Sequence, residues 1–149
     1  MRKFIVLFII FLTGCKLTPG VHSQSNLKTN QLSVLTTKSI GFWELYAPFS
    51  KKMDAKIYEV YDETGKLVIG LDGFEFKQAT YDKVYLETGV YKIVGYCTGI
   101  NGYAYPETII KIEANTEYDF NCKTIYEKTF LGINAPSKAQ LVIKAINKT

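Results

Sequence analysis

From about residue 33 onward the chain is divided into short runs of β-branched and aromatic residues with turn residues between them. Glycines close several of the predicted turns, as in Asp62-Glu63-Thr64-Gly65 and Glu87-Thr88-Gly89. No stretch repeats its apolar residues with the 3.6-residue period of an amphipathic helix. This pattern predicts an all-β fold, a single antiparallel β-sandwich over residues 33–149.

The predicted strands are short and follow one another at near-regular spacing. They cover Ser33–Thr37, Ser39–Tyr46, Ala55–Tyr61, Lys66–Leu71, Phe74–Lys77, Lys83–Leu86, Val90–Cys97, Thr108–Glu113, Glu117–Cys122 and Gln140–Ile146. The last segment is also compatible with a short helix capped by Ser137, although Val142 and Ile143 favour a strand. A chain of 149 residues is long enough for one ordinary domain and too short for two.

Alternation within three of the predicted strands separates a core face from a solvent face. The predicted core faces carry Tyr91, Ile93, Gly95 and Cys97 in the first strand, Thr108, Ile110 and Ile112 in the second, and Tyr118, Phe120 and Cys122 in the third. The opposite side of each strand bears at least one charged residue, which favours solvent there.

The N-terminus has the pattern of a signal peptide. Arg2 and Lys3 precede Phe4–Leu12, an unbroken run of nine large apolar residues. As a helix this run would be roughly 14 Å long, less than half of a hydrocarbon core about 30 Å thick. Residues 1–14 are therefore predicted to be a processing segment and not a membrane span.

The sequence Leu12-Thr13-Gly14-Cys15 directly after this apolar run resembles the lipobox of bacterial lipoproteins. The resemblance implies a diacylglyceryl thioether on Cys15, cleavage after Gly14 and a lipid-anchored protein of the cell envelope. Lys16 follows the cysteine, and in Gram-negative lipoproteins the absence of aspartate there implies export to the outer membrane. In a Gram-negative cell we expect the protein on the periplasmic face of that membrane. The alternative is an ordinary secreted protein with a chance cysteine.

The segment that follows, residues 15–32, is predicted to be the lipidated N-terminus and a flexible tether. It is polar, is interrupted by Pro19-Gly20 and has no apolar period. His22 lies in it and is expected to be solvated.

Cys97 and Cys122 remain as a pair once Cys15 is acylated, and an oxidising compartment favours a disulfide between them. In a flat meander these cysteines would flank the middle strand at about 9–10 Å, too far apart to bridge. A disulfide therefore requires the strand ending at Cys122 to lie in the facing sheet, or the sheet to bend sharply. Two buried thiols, and a metal or redox pair, are the alternatives.

Charge and composition weigh against nucleic acid as a partner. The 18 basic residues include Arg2 and Lys3, so removal of residues 1–14 leaves 16 lysines against 14 acids and no arginine. Arginine is the usual residue for bidentate recognition of phosphate and guanine.

The chemistry of the side chains weighs equally against catalysis. His22 is the only histidine, so the predicted domain lacks a histidine base for a Ser–His or Cys–His arrangement. Clusters of histidine and cysteine that would hold zinc or copper are missing, and the local carboxylate pairs lie in predicted turns. We expect no enzyme, no metal and no cofactor apart from the lipid.

Residues 83–122 resemble the second half of small lipoprotein β-sandwiches of the PEGA-like, carboxypeptidase-regulatory-like or transthyretin-like kind. The resemblance rests on Leu86-Glu87-Thr88-Gly89-Val90-Tyr91, Cys97, Pro106, Tyr118 and Cys122. Thr88 replaces the family's proline, and Asn115-Thr116-Glu117 precedes Tyr118 without the family's glycine. The resemblance implies an antiparallel β-sandwich of the transthyretin-like or immunoglobulin-like kind, and it implies no catalytic residues.

The most suggestive functional segment is the glycine-rich stretch of residues 95–106, predicted to be a binding loop held by Cys97. Its candidate binding residues are Tyr96, Asn101, Tyr103 and Tyr105. Tyrosines on a rigid loop suit a surface that binds protein or glycan, because they offer area at little cost in side-chain entropy. The alternative places them as residues that cap one end of the sandwich. A second aromatic cluster, Phe42, Trp43 and Tyr46, is expected in the core.

Two functions are compatible with these features. The first is a lipid-anchored, non-catalytic binding or assembly module for another envelope protein or a glycan. The second is an inhibitor of a host or competitor hydrolase such as lysozyme, which would insert a protruding loop, residues 98–105, into an active site.

Overall fold

The computed structural model describes residues 20–23, 25, 27–45, 51–70, 80–100 and 102–146. In these residues ten strands and one short helix follow one another along the chain. They are β1 (Gly20–His22), β2 (Ser33–Thr37), α1 (Phe42–Leu45), β3 (Asp54–Tyr61), β4 (Leu67–Ile69), β5 (Lys83–Leu86), β6 (Gly89–Gly99), β7 (Gly102–Ala104), β8 (Glu107–Ile112), β9 (Glu117–Lys128) and β10 (Asn134–Ile146). A single 3-10 turn, Thr29–Gln31, lies between β1 and β2.

The strands form two sheets that pack face to face, which confirms the all-β sandwich. Sheet 1 has the order β1-β5-β2-β9-β10, and sheet 2 has the order β4-β3-β6-β7 with β8 also paired to β6. Most pairs are antiparallel, but β1 runs parallel to β5 and β2 runs parallel to β9. The sandwich is therefore mostly, and not wholly, antiparallel.

The core lies between the sheets and is built from the faces that alternation predicts. Phe120 of β9 and Ile93 of β6 are completely buried, and Tyr118 and Tyr91 are nearly so. Gly95 faces the same core, where a Cβ atom would lie 2.5 Å from Leu141 Cδ2 and 3.0 Å from the Phe120 ring. Glycine at this position lets the two sheets approach closely.

The disulfide between Cys97 and Cys122 is present, with 5.8 Å between the Cα atoms. Cys97 lies in β6 of sheet 2 and Cys122 lies in β9 of sheet 1. The bond therefore joins the facing sheets, which is one of the two arrangements that the distance argument allows. Cys122 is not at the end of its strand, because β9 continues to Lys128.

The predicted strand over Ser39–Tyr46 is wrong, because residues 42–45 form α1. The backbone N–H groups of Glu44 and Leu45 both donate to the carbonyl oxygen of Gly41, at 2.9 and 3.0 Å. This single turn buries Leu45 and leaves Trp43 85% exposed, so Trp43 is not a core residue. The Phe42 side chain and Tyr46 lie outside the described part of the chain.

The predicted flexible tether is partly ordered. Gly20–His22 form β1, in which Gly20 pairs with Val84 and His22 pairs with Leu86. His22 is half-buried with its ring 6.2 Å from that of Tyr91, and its Nε2 atom is buried, so it is not solvated as expected. Pairing with a strand more than sixty residues away stabilises this segment.

Other strand boundaries differ from the predictions in length. β9 and β10 are longer than predicted because they pair with each other along their whole length. Glu117 pairs with Ile146 at one end, and Lys128 pairs with Asn134 at the other. The segment from Ser137 is therefore strand and not helix. The predicted strand at Phe74–Lys77 lies outside the described residues, as do Cys15 and the whole of residues 1–19.

Candidate binding surface

The predicted binding loop is a β-hairpin. Cys97 pairs with Ala104 and Val94 pairs with Glu107. β7 and β8 therefore pair with β6 one after the other in the same register. In that register Tyr96 stands opposite Tyr105. The backbone N–H of Gly95 donates to the carbonyl oxygen of Pro106 at 2.9 Å, which bridges the gap between β7 and β8.

Four tyrosines gather on the outer face of sheet 2, and we call them the tyrosine patch. Tyr96 faces outward because its neighbours Gly95 and Cys97 face the core. The ring centroids are 5.3 Å apart for Tyr96–Tyr105, 6.1 Å for Tyr96–Tyr103, 5.9 Å for Tyr103–Tyr105 and 5.0 Å for Tyr58–Tyr105. Three predicted residues thus come together, and Asn101 lies outside the described residues.

Tyr58 of β3 is the member that the sequence does not single out. The pairing of β3 with β6 slips between Ile57 and Glu59, so Tyr58 is the extra residue of a β-bulge. Both Tyr58 and Glu59 consequently lie away from the core, while Ile57 and Val60 are fully buried. In the sequence, the only indication that Tyr58 faces outward is the alternation of the apolar residues Ala55 and Ile57 with the residues between and after them.

Charged side chains border the patch in pairs of opposite sign. Lys56, which pairs with Tyr96 across the strands, contacts the carboxylate of Asp82 and lies 3.9 Å from that of Asp54. On the other side Lys92 lies 3.7 Å from Glu107. The surroundings of the patch are therefore polar but close to balanced in charge.

The patch is also held rigidly. Tyr96 adjoins Cys97, whose disulfide ties sheet 2 to sheet 1, and the rings pack on one another at aromatic contact distances. Tyr103 is 69% exposed and Tyr105 is 38% exposed. A partner would thus meet a preformed aromatic surface and would lose little freedom in ordering it.

A groove of about 160 Å³ opens beside the patch, at the end of the sandwich where the β6–β7 turn meets β9 and β10. We call this the hairpin end. Lys51, Tyr103, Tyr126 and Lys138 line the groove, and Lys51 Nζ lies 5.3 Å from the Tyr126 ring centroid. The groove combines aromatic rings with positive charge.

Two described groups with shifted pKa values, Tyr91 and Asp62, lie away from both features. Burial raises the pKa of Tyr91, and the negative charges of Glu87, Asp62 and Glu63 add to the effect. The pKa of Asp62 is lowered, chiefly because the Thr64 hydroxyl donates to its carboxylate at 2.6 Å. Thr64 and Lys66 also donate backbone N–H groups to Asp62, so this carboxylate stabilises the turn between β3 and β4.

Within the described ranges, no group of three or more histidine, cysteine, aspartate or glutamate side chains could hold a metal ion. The same part of the chain has no helix long and apolar enough to cross a membrane. No protein-family model matches the chain, nor does any curated protein or solved structure.

Proposed function

We propose that this chain is a lipid-anchored protein of the cell envelope that acts as a non-catalytic binding or assembly module. The observation that carries the binding role is the tyrosine patch, four packed rings on the outer face of a disulfide-linked sheet. The anchoring role is supported by the lipobox-like sequence before Cys15 and by the apolar run that precedes it.

The composition of the patch suits recognition of another surface. Tyrosine is enriched among the residues that contribute most to binding, since its ring buries a large area and its hydroxyl forms hydrogen bonds. The charged pairs around the patch resemble the polar rim of an interface. An aromatic centre within a polar rim is typical of protein–protein interfaces.

The chemistry of this surface favours an uncharged partner. Lys56 and Lys92 are already paired with carboxylates, so they leave little net charge to attract a polyanion. We therefore propose an envelope protein or a neutral glycan, and not nucleic acid. Either would contact the flat faces of the rings and their hydroxyl groups.

The alternative function, inhibition of a hydrolase such as lysozyme, requires a segment that protrudes into an active site. Residues 98–100 and 102–105, which were expected to form that loop, belong to the paired β6–β7 hairpin or follow it directly. Inhibition of purified lysozymes by the mature chain would favour this alternative over a binding module.

Site-specific photo-crosslinking in the producing cells tests the proposed binding surface. With the photoreactive residue p-benzoylphenylalanine in place of Tyr103, we expect irradiation to yield a discrete adduct with one envelope component. The same residue in place of Ile146, which is also exposed but lies in β10 at the opposite end of the sandwich, is the matched control. An adduct at position 103 no stronger than at position 146 would contradict the proposal.

A further inference from the structure

The β9–β10 hairpin extends well beyond the rest of sheet 1. The last pairing of β9 with β2 joins Phe120 to Thr37, and the eight residues from there to Lys128 pair within the sheet only with β10. Eight residues of strand correspond to about 26 Å. The turn at the tip is well defined, because Thr129 N–H donates to Ile133 O and Gly132 adopts a φ of +74°.

The tip of this hairpin is apolar and exposed. Phe130 is fully exposed to solvent, and Leu131 and Ile133 are mostly exposed. Three apolar side chains together at the end of a projection form a surface that water solvates poorly. Trp43 and Ile100, both exposed, lie at the same end of the sandwich, since α1 follows the end of β2 and Ile100 follows the end of β6.

Lysines surround the apolar tip and the groove beside it. The described charged residues that line the groove, flank it or lie on the β9–β10 hairpin beyond Phe120 give a net charge of +2. They are five lysines and three acids, namely Lys51, Lys52, Lys123, Lys128, Lys138, Glu44, Asp54 and Glu127. Both glutamates are paired, Glu44 with Lys52 at 3.1 Å and Glu127 with Lys138 at 3.7 Å. The remaining charge is positive and complements an anionic surface.

Gly20, the first described residue of the chain, lies at the end of β1 that is nearer to the hairpin end. Gly20 pairs with Val84, which pairs with Leu35, whereas His22 pairs with Leu86, which pairs with Ser33. Because β2 runs toward the hairpin end, Gly20 is the end of β1 nearer to it. Cys15 precedes Gly20 by five residues, which span at most about 17 Å.

From these observations we infer that the hairpin end contacts an anionic phospholipid bilayer. Phe130, Leu131 and Ile133 enter the headgroup–acyl boundary, and the surrounding lysines contact the anionic headgroups. The inference rests on the proposed lipid anchor, because a lipid on Cys15 would hold this end of the domain near the membrane. The hairpin extends about 26 Å beyond Phe120, whereas the five residues from Cys15 to Gly20 span at most about 17 Å. The hairpin would therefore tilt and lie along the bilayer surface.

Tryptophan fluorescence in vesicles tests this inference. Trp43→Phe removes the only tryptophan, and Phe130→Trp then reports on the tip alone. The full lipidated chain is reconstituted in vesicles of phosphatidylethanolamine and phosphatidylglycerol, with or without brominated acyl chains. Ile109→Trp in the same background is the matched control, because Ile109 is 72% exposed on the outer face of sheet 2.

We expect the emission of the Phe130→Trp chain to move to shorter wavelength in vesicles. Bromolipid should quench it several-fold more strongly than the emission of the Ile109→Trp chain. Replacing phosphatidylglycerol with phosphatidylcholine, or introducing Lys123→Gln with Lys128→Gln, should reduce the quenching. Equal quenching at both positions would overturn the inference. A shift to shorter wavelength without quenching would also overturn it, because the tip would then be buried against a protein or a second copy of this chain.

The lipid anchor is checked separately on the same material. Mass analysis of the N-terminal peptide should show the diacylglyceryl group on Cys15, and the chain should float with the vesicles. An unmodified Cys15 would overturn the proposed anchor itself. A modified Cys15 together with unquenched emission from the Phe130→Trp chain would overturn only the membrane contact of the tip.

Discussion

Replacing Phe120 with alanine is expected to destabilise the fold by about 3–5 kcal/mol, the largest effect of any single substitution proposed for this chain. The side chain is completely buried between the sheets, where its ring lies close to Gly95 of the opposite sheet. Alanine would remove this contact and leave a cavity that the two sheets, held by the disulfide, could close only in part. The change corresponds to a fall in Tm of roughly 10–20 °C.

Phe130→Ala is the matched control for this experiment. It makes the same chemical deletion at the turn that β9 leads into, but at a fully exposed side chain. Its effect on the free energy of unfolding should be within about 0.5 kcal/mol. Thermal and urea unfolding followed by far-ultraviolet circular dichroism measure both variants, and equal destabilisation by the two would contradict the proposed core.

Removing the disulfide is expected to have the second-largest effect. The double variant Cys97→Ala with Cys122→Ala should be less stable by about 3 kcal/mol, since the bond closes a loop with a sequence separation of 25 residues. The double variant avoids a free thiol, and alanine in place of the completely buried Cys97 keeps that position apolar. Urea unfolding of the oxidised protein and of the variant measures the difference.

Reduction provides the internal control for the disulfide. Dithiothreitol should lower the stability of the unsubstituted protein toward that of the double variant and leave the double variant unchanged. Non-reducing mass analysis should show the mature chain two hydrogens lighter than its reduced form. Two free thiols after expression in an oxidising compartment would contradict the bond.

Local sequence pattern was sufficient for most of the sandwich. Alternation identified the buried faces of β6 and β9. A disulfide between Cys97 and Cys122 excluded a flat meander of their strands, and left facing sheets or a sharply bent sheet. These predictions succeed because burial on one side of a strand imposes a period of two on the sequence. The disulfide adds one long-range constraint that alternation alone cannot provide.

The segments that the sequence does not predict are either too short to show a period or paired with strands that are distant in the sequence. β1 is only three residues long and has no period to detect, yet it pairs with a strand more than sixty residues later in the chain. α1 is a single turn in which burial of Leu45 exposes Trp43, and four residues are too few to distinguish a helix from a strand. β9 and β10 extend beyond their predicted ends because they pair with each other outside the core, where no buried face imposes an apolar period.

The sequence predicts three of the four tyrosines of the candidate site. The spacing of Tyr96, Tyr103 and Tyr105 around a glycine-rich turn identified one side of the patch. Tyr58 comes from another strand and joins them through the register of β3 with β6 and the bulge at Ile57–Glu59. That register depends on the assembled sheet, so the complete patch is a property of the fold and not of one segment.

The affinity of the mature chain for its crosslinked partner tests the central claim, that the tyrosine patch is a binding surface. Tyr103→Ala with Tyr105→Ala should weaken this affinity at least about tenfold, because a tyrosine at the centre of an interface commonly contributes more than about 1 kcal/mol. Val90→Ala, an exposed position on the same sheet away from the patch, should leave it unchanged. An undiminished affinity in the double variant, with Tm preserved, would contradict the claim.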